Sequence, residues 1–194
     1  IRDKYGDARR SHIEYAGGEM NIEDLIADDQ VVITISHAGY IKRTPLSEYK
    51  TQNRGGVGQK SAGTRDQDFL EHMYVATNHQ YMLFFTQKGK CFWLRVYEIP
   101  EGSKQAKGRA IQNLVNIEND DKVKAFICTQ DLRDEEYTNN HYIVMCTKLG
   151  QVKKTSLEQY SRPRQNGINA ITIKEGDELL EAKLTDGNSK VLVA

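Results

Sequence analysis

Tyr81-Met82-Leu83-Phe84-Phe85-Thr86-Gln87-Lys88-Gly89-Lys90-Cys91-Phe92-Trp93-Leu94 is the stretch that decides the fold. Two short apolar, aromatic-rich runs flank a polar tetrad that ends in glycine. Such runs, bounded by a turn signal, read as strand, tight turn, strand. The glycine supplies the positive φ that a short hairpin needs. The phrase occurs twice more. Upstream stands Val31-Val32-Ile33-Thr34-Ile35-Ser36-His37-Ala38-Gly39-Tyr40-Ile41-Lys42-Arg43-Thr44, and downstream Tyr142-Ile143-Val144-Met145-Cys146-Thr147-Lys148-Leu149-Gly150-Gln151-Val152-Lys153-Lys154-Thr155.

A second phrase, basic and glycine-bearing, follows each hairpin: Asn53-Arg54-Gly55-Gly56-Val57-Gly58, Ala106-Lys107-Gly108-Arg109-Ala110-Ile111 and Pro163-Arg164-Gln165-Asn166-Gly167-Ile168. A third is an acidic turn entering another apolar run, at Asp68-Phe69-Leu70, Asp121-Lys122-Val123 and Asp177-Glu178-Leu179. The hairpin glycines repeat after 50 and then 61 positions. The longer unit holds the insert Asp131-Leu132-Arg133-Asp134-Glu135-Glu136, which reads as a solvated loop. About four short strands in a unit of this length make one propeller blade. The fold class is therefore all-β and β-propeller-like, with about three and a half blades of 50–60 residues in this chain. Residues 1–18 read as a tail from something upstream, and 19–194 as a partial propeller. Lys190-Val191-Leu192-Val193-Ala194 reads as the first strand of a fourth unit. Asn21-Ile22-Glu23-Asp24-Leu25-Ile26 is the one candidate helix, with strand and turn as the alternative.

Net charge is zero, with 27 basic and 27 acidic residues. The charges are not mixed evenly. The windows 36–60, 86–109 and 147–167 hold 16 basic and 4 acidic residues, leaving 11 basic and 23 acidic in the rest of the chain. Stacked blades would turn the hairpin tips and glycine loops into a basic stripe with the acidic turns elsewhere. Candidate phosphate contacts are Lys42, Arg43, Lys50, Lys60, Lys88, Lys90, Lys107, Arg109, Lys153, Lys154, Arg162 and Arg164. Such a stripe binds duplex DNA by releasing counterions, and a curved one favours a bent duplex.

Other chemistry is sparse. Cys91, Cys128 and Cys146 lie near apolar residues without Cys-x-x-Cys spacing, and read as free thiols in a reducing cytoplasm. His12, His37, His72, His79 and His141 show no ligand spacing. Gly55-Gly56-Val57-Gly58 lacks the Lys-Ser/Thr of a P-loop. Trp93 reads as a core aromatic, with stacking on a base as the alternative. Nothing pairs a nucleophile with a base, and no apolar run approaches the roughly 18 residues of a membrane span.

Several phrases carry a resemblance: Tyr5-Gly6-Asp7-Ala8-Arg9-Arg10, Glu23-Asp24-Leu25-Ile26, Gly39-Tyr40-Ile41-Lys42-Arg43, Phe85-Thr86-Gln87-Lys88-Gly89, Val96-Tyr97-Glu98-Ile99-Pro100 and Lys107-Gly108-Arg109-Ala110-Ile111-Gln112-Asn113-Leu114. Together they resemble the C-terminal domain family of the DNA gyrase A protein, over essentially the whole chain. The resemblance implies a six-bladed β-pinwheel whose blades exchange strands, with DNA wrapped around its perimeter so that the holoenzyme introduces negative supercoils. It implies three partners: double-stranded DNA, the gyrase B protein, and the rest of the gyrase A protein in an A2B2 assembly on the bacterial chromosome. ATP and Mg2+ would act in other parts of that assembly, with no cofactor and no catalytic residue in this stretch. The family's gyrase box reads Gln-Arg-Arg-Gly-Gly-Lys-Gly, and Gln52-Asn53-Arg54-Gly55-Gly56-Val57-Gly58 stands in its place. Asn53 and Val57 replace two basic positions, which Lys50 and Lys60 flank. That departure keeps open the related C-terminal domain of topoisomerase IV, from its gyrase-A-like chain. A propeller that recruits proteins through its face is a further alternative.

Overall fold

The structure, a computed structural model, describes residues 22–49 and 68–192. The tail 1–18, the loop 52–58, Lys50, Lys60 and Val193-Ala194 lie outside the described residues.

Each hairpin forms where the apolar runs place it. Strands β1 (Gln30–Ser36) and β2 (Tyr40–Pro45) turn at Gly39, and β3 (Leu70–Thr77) pairs with the other side of β1. Strands β4 (Tyr81–Thr86) and β5 (Lys90–Arg95) turn at Gly89. Before the next full-length strand comes the two-residue β6 (Arg109–Ala110), and then β7 (Val123–Thr129), which pairs with β4. Helix α1 (Glu135–Asn140) precedes β8 (Tyr142–Thr147) and β9 (Val152–Ser156), which turn at Gly150. The two-residue β10 (Ile168–Asn169) and the long β11 (Leu179–Thr185) complete the order. All these pairings are antiparallel.

The fourth strand of a sheet comes from the next unit. Strand β6 follows the second hairpin but pairs with β2 of the first, giving the order β3-β1-β2-β6. Strand β10 follows the third hairpin but pairs with β5 of the second, giving β10-β5-β4-β7. The third sheet, β11-β8-β9, has three strands among the described residues. This exchange is the pinwheel variant that the resemblance implies.

Side-chain alternation explains why the middle hairpin is apolar throughout. Successive strand residues point to opposite faces. Met82 and Phe84 join Ile33, Ile35, Ile41 and Phe92 in the core between the first and second sheets. Leu83 and Phe85 join Trp93, Ile127, Ile143 and Met145 in the core between the second and third. The middle sheet is thus buried on both faces, a situation that erases polar alternation. Each fully buried side chain of this size contributes about 1.5–3 kcal/mol. Trp93 belongs to this core, its indole N–H donating to Tyr160 O at 3.0 Å.

Three local expectations change. The insert at 131–136 is not simply a solvated loop: Leu132 is 2% exposed within a core, and Glu135 and Glu136 begin α1. The Asp134 carboxylate caps that helix by accepting the N–H groups of Glu136 and Tyr137. The candidate helix near residue 21 is a single 3-10 turn, Ile22–Leu25. Lys190, Val191 and Leu192 form no strand.

The acidic turns also stand somewhere unexpected. They clamp the hairpin tips instead of lying apart from them. Asp68 Oδ1 accepts the N–H of Ala38 at 2.9 Å, Asp121 Oδ1 that of Lys88 at 3.1 Å, and Asp177 Oδ1 that of Leu149 at 2.9 Å. Each donor is the residue before the turn glycine. Each carboxylate also accepts the N–H of the residue that follows it, Phe69, Lys122 or Glu178. Against the desolvation cost, these bonds, with the Ser36 and Thr147 hydroxyls, hold the Asp68 and Asp177 carboxyls below their ordinary range. Asp121 is the most deeply set, at 1% exposed. Asp121→Ala leaves two turn N–H groups without their acceptor and lowers unfolding stability by about 1–3 kcal/mol. Urea denaturation reads that loss, and an unchanged midpoint overturns the clamp.

Candidate nucleic-acid interface

The segments that cross between units, here called straps, run from each hairpin to the short exchanged strand. The first strap begins beside Arg43, whose N–H donates to Pro100 O at 3.0 Å and whose carbonyl accepts from Gly102 N at 2.9 Å. It ends where Ile41 faces Arg109 and Tyr40 faces Ala110. Gly108 makes that ending possible: at φ 81°, a Cβ there would sit 2.5 Å from Ile41 O. Gly167 does the same for the second strap, where a Cβ would lie 2.8 Å from Cys91 O and from the Phe92 ring. Both glycines therefore serve close backbone approach as well as a left-handed turn.

The cations of the hairpins and of the straps have different surroundings. Lys42 is 2% exposed, and its Nζ donates to Ser103 O at 2.7 Å and to Lys104 O at 2.6 Å. Burial pushes its ammonium below its ordinary value, against the opposing pull of Glu48. Arg43 donates from Nε to Ile99 O at 2.8 Å and pairs through Nη1 with Glu101 at 2.8 Å. Lys88 pairs with Asp120 at 2.6 Å and with Glu118 at 2.9 Å, and Lys90 pairs with Glu118 at 2.5 Å. The hydrogen bonds from Lys90 and Lys88 draw the Glu118 carboxyl down to about 2, and those to Asp120 and Glu118 raise Lys88. Lys153 Nζ donates to Ala170 O at 2.5 Å. Lys154 Nζ lies 4.1 Å from the Tyr142 ring centroid and 3.4 Å from Gly187 O.

Lys107 and Arg109 on the first strap, and Arg162 and Arg164 on the second, are exposed. Among the described residues, no carboxylate lies within ion-pair distance of these four. The two straps occupy equivalent edges of adjacent sheets, and each carries two of the four cations at different points along its length: Lys107 and Arg109 flank Gly108, while Arg162 and Arg164 precede Gly167 by five and three residues. The basic windows read from sequence thus separate into hairpin cations that already have partners within the fold, whether buried like Lys42 or exposed like Lys88, Lys153 and Lys154, and four exposed strap cations with no described carboxylate beside them.

The family described as DNA gyrase C-terminal domain, beta-propeller, matches residues 30–77, 80–130 and 141–186. Each matched stretch contains one hairpin and the strand that flanks it. The chain belongs to this family. It is 44% identical over 194 residues to the DNA gyrase A protein of Staphylococcus epidermidis. It is 41% identical over 193 residues to that of Aeromonas salmonicida. Both alignments cover 100% of this chain and 20–21% of the relative, so the chain spans about one fifth of the curated relatives it matches. Among solved structures it is similar to the C-terminal domain of DNA topoisomerase IV. That match has a TM-score of 0.68 at 30% identity, over 84% of this chain and 47% of the other.

Within the gyrase C-terminal fold, the gyrase-box positions Gln52 to Gly58 lie outside the described residues. Sequence reading missed the three clamp aspartates as structural residues. The available signal was the recurrence of one Asp at the start of each acidic turn. Cys91, Cys128 and Cys146 are free thiols. Burial raises Cys91 and pushes Cys128 up to about 11. Among the described residues, no group of His, Cys, Asp and Glu is placed to hold a metal ion, and no helix is long and apolar enough to cross a membrane.

Proposed function

We propose that this chain binds double-stranded DNA along its straps and bends it around the perimeter, as the wrapping part of a gyrase holoenzyme. The observation that carries the reading is the set Lys107, Arg109, Arg162 and Arg164, exposed at equivalent edges of neighbouring sheets. Phosphates that meet such cations release counterions, and the gain grows with each phosphate neutralised. Bending 20–30 base pairs by 40–90° costs on the order of 1–6 kcal/mol, which contacts on successive blades offset. In the holoenzyme the wrap would present a second DNA segment with a fixed hand. ATP-driven strand passage through the gyrase B protein and the rest of the gyrase A protein would then yield negative supercoils. Gln52, Asn53, Arg54, Gly55, Gly56, Val57 and Gly58, flanked by Lys50 and Lys60, extend the contact in this reading.

The replacement of two basic box positions by Asn53 and Val57 favours a second reading, a topoisomerase IV type of domain that binds DNA without a strong wrap. Nick-sealing separates the two. A nicked circle is ligated in the presence of the full-length protein, and its linking number is read afterwards. A dose-dependent positive change is the expected result and marks a right-handed wrap. Retained binding with no change in linking number assigns the domain to the second reading.

A further inference from the structure

We infer that Lys42 is a positioning residue for DNA binding: from beneath the first strap it holds Lys107 and Arg109 in place without touching DNA itself. The inference rests on the strap reading proposed above. Its basis is the geometry of residues 102–109.

The strap between Gly102 and Arg109 is fixed at both ends, by Arg43 and by the β2–β6 pairing. Between these ends it lies over the Lys42 side chain. Lys42 Cδ would be 3.6 Å from a Cβ placed at Gly102, and Lys42 Cβ 3.2 Å from one placed at Gly108, so the aliphatic stem runs directly beneath the loop. At its tip the ammonium reaches the carbonyls of Ser103 and Lys104. The neighbouring Thr44 hydroxyl donates to Gly102 O at 2.8 Å. Three successive strap carbonyls are therefore held by two side chains of β2.

A buried ammonium is a costly way to hold a loop if packing is the only aim. The equivalent position in the second unit shows that the fold does not demand it. There Phe92, three residues after its turn glycine as Lys42 is after Gly39, lies under the second strap at Gly167. That strap contains Pro163, which fixes its own φ. In the first strap the stretch that lies over Lys42, Glu101-Gly102-Ser103-Lys104-Gln105-Ala106-Lys107-Gly108-Arg109, follows Pro100 and has no proline of its own and two glycines. Lys42 supplies from outside the order that this sequence lacks. The ordering entropy of a loop is spent on folding instead of on binding, which is how preorganisation raises affinity.

The test uses the full-length protein with four variants: Lys42→Met, Thr44→Val, Lys107→Ala/Arg109→Ala, and Lys42→Met added to that pair. Backbone hydrogen exchange over residues 102–108 and affinity for a linear duplex across a salt series are measured below the melting transition. Lys42→Met is expected to speed exchange in 102–108 and to weaken DNA binding about tenfold. In the Lys107→Ala/Arg109→Ala background the same substitution has no further effect on affinity. Thr44→Val acts in the same direction by about threefold, and it carries the test if Lys42→Met does not fold. A tenfold loss that persists in the Lys107→Ala/Arg109→Ala background makes Lys42 an independent contact and overturns the positioning role. Unchanged exchange in 102–108 overturns it as well. Wild-type affinity in Lys107→Ala/Arg109→Ala overturns the strap reading itself, whatever Lys42 does to exchange.

Discussion

Replacing Lys107, Arg109, Arg162 and Arg164 together by alanine lowers the salt dependence of duplex binding by about 3–4 in the slope of log K against log salt. Each phosphate neutralised on B-DNA contributes about 0.9 to that slope. Affinity at moderate salt falls by about a hundredfold or more. The reason lies in the surroundings of these side chains. All four are exposed, and no described carboxylate pairs with them. Their charge is thus available to phosphate without first breaking an internal pair. Lys88 and Lys90 provide the control. They are equally basic in sequence, but Glu118 and Asp120 already neutralise them. Removing both lysines is expected to change the slope by less than one. The exposed pairs contribute little to stability, so folding is not a confounding loss in that control. Filter binding or anisotropy between 50 and 200 mM salt reads both variants. A larger slope change from Lys88 and Lys90 than from the four strap residues moves the interface to the hairpin tips and overturns the assignment.

The contrast between those sets marks what the sequence could tell. Hairpins were legible because two apolar runs around a turn glycine admit few other folds, and threefold repetition fixed the blade as the unit. Exchange of β6 and β10 between sheets came only through resemblance. A two-residue strand such as Arg109–Ala110 has no periodicity of its own, and nothing in its composition names β2 as its partner. The basic windows were legible as charge but not as exposure. Lys42 and Lys107 look alike in a count. One reaches two carbonyls from inside, while the other stands in solvent. A lysine's stem is long enough for either, and the choice depends on which backbone crosses above it. The acidic turns failed for the same reason. Asp68, Asp121 and Asp177 look like solvent-facing charge until the turn N–H groups they accept are found across the sheet. Burial of Leu132 and the helix after Asp134 were hidden by the charges around them.

Alanine at Gly89 destabilises the protein far more than alanine at Gly39 or Gly150, although all three close the same hairpin turn. Their backbone is nearly identical, with φ values of 80°, 81° and 83° for Gly89, Gly39 and Gly150. Holding an L-residue in that left-handed region costs roughly 1–2 kcal/mol, and that cost is common to the three. At Gly39 and Gly150 a Cβ meets nothing within 4 Å. At Gly89 it meets the Ile171 carbonyl oxygen at a distance that real Cβ atoms do not show, with the Ile171 and Ile173 side chains 3.0 Å away. The obstacle is backbone and cannot rotate aside. Moving it would break the junction between the second and third units, where Ala170 N and Ile171 N both donate to Gly89 O, at 2.8 and 3.1 Å. Overpacking of this kind adds about 1–3 kcal/mol. Gly39→Ala and Gly150→Ala are therefore expected to cost about 1–2 kcal/mol in urea unfolding, and Gly89→Ala about 2–5 kcal/mol. Equal losses at all three positions mean that turn strain alone sets the glycine requirement, and that Ile171 does not press on the hairpin tip. A surplus confined to Gly89 means that the second hairpin tip is held from both sides: by Asp121 of its own unit and by the backbone of the next.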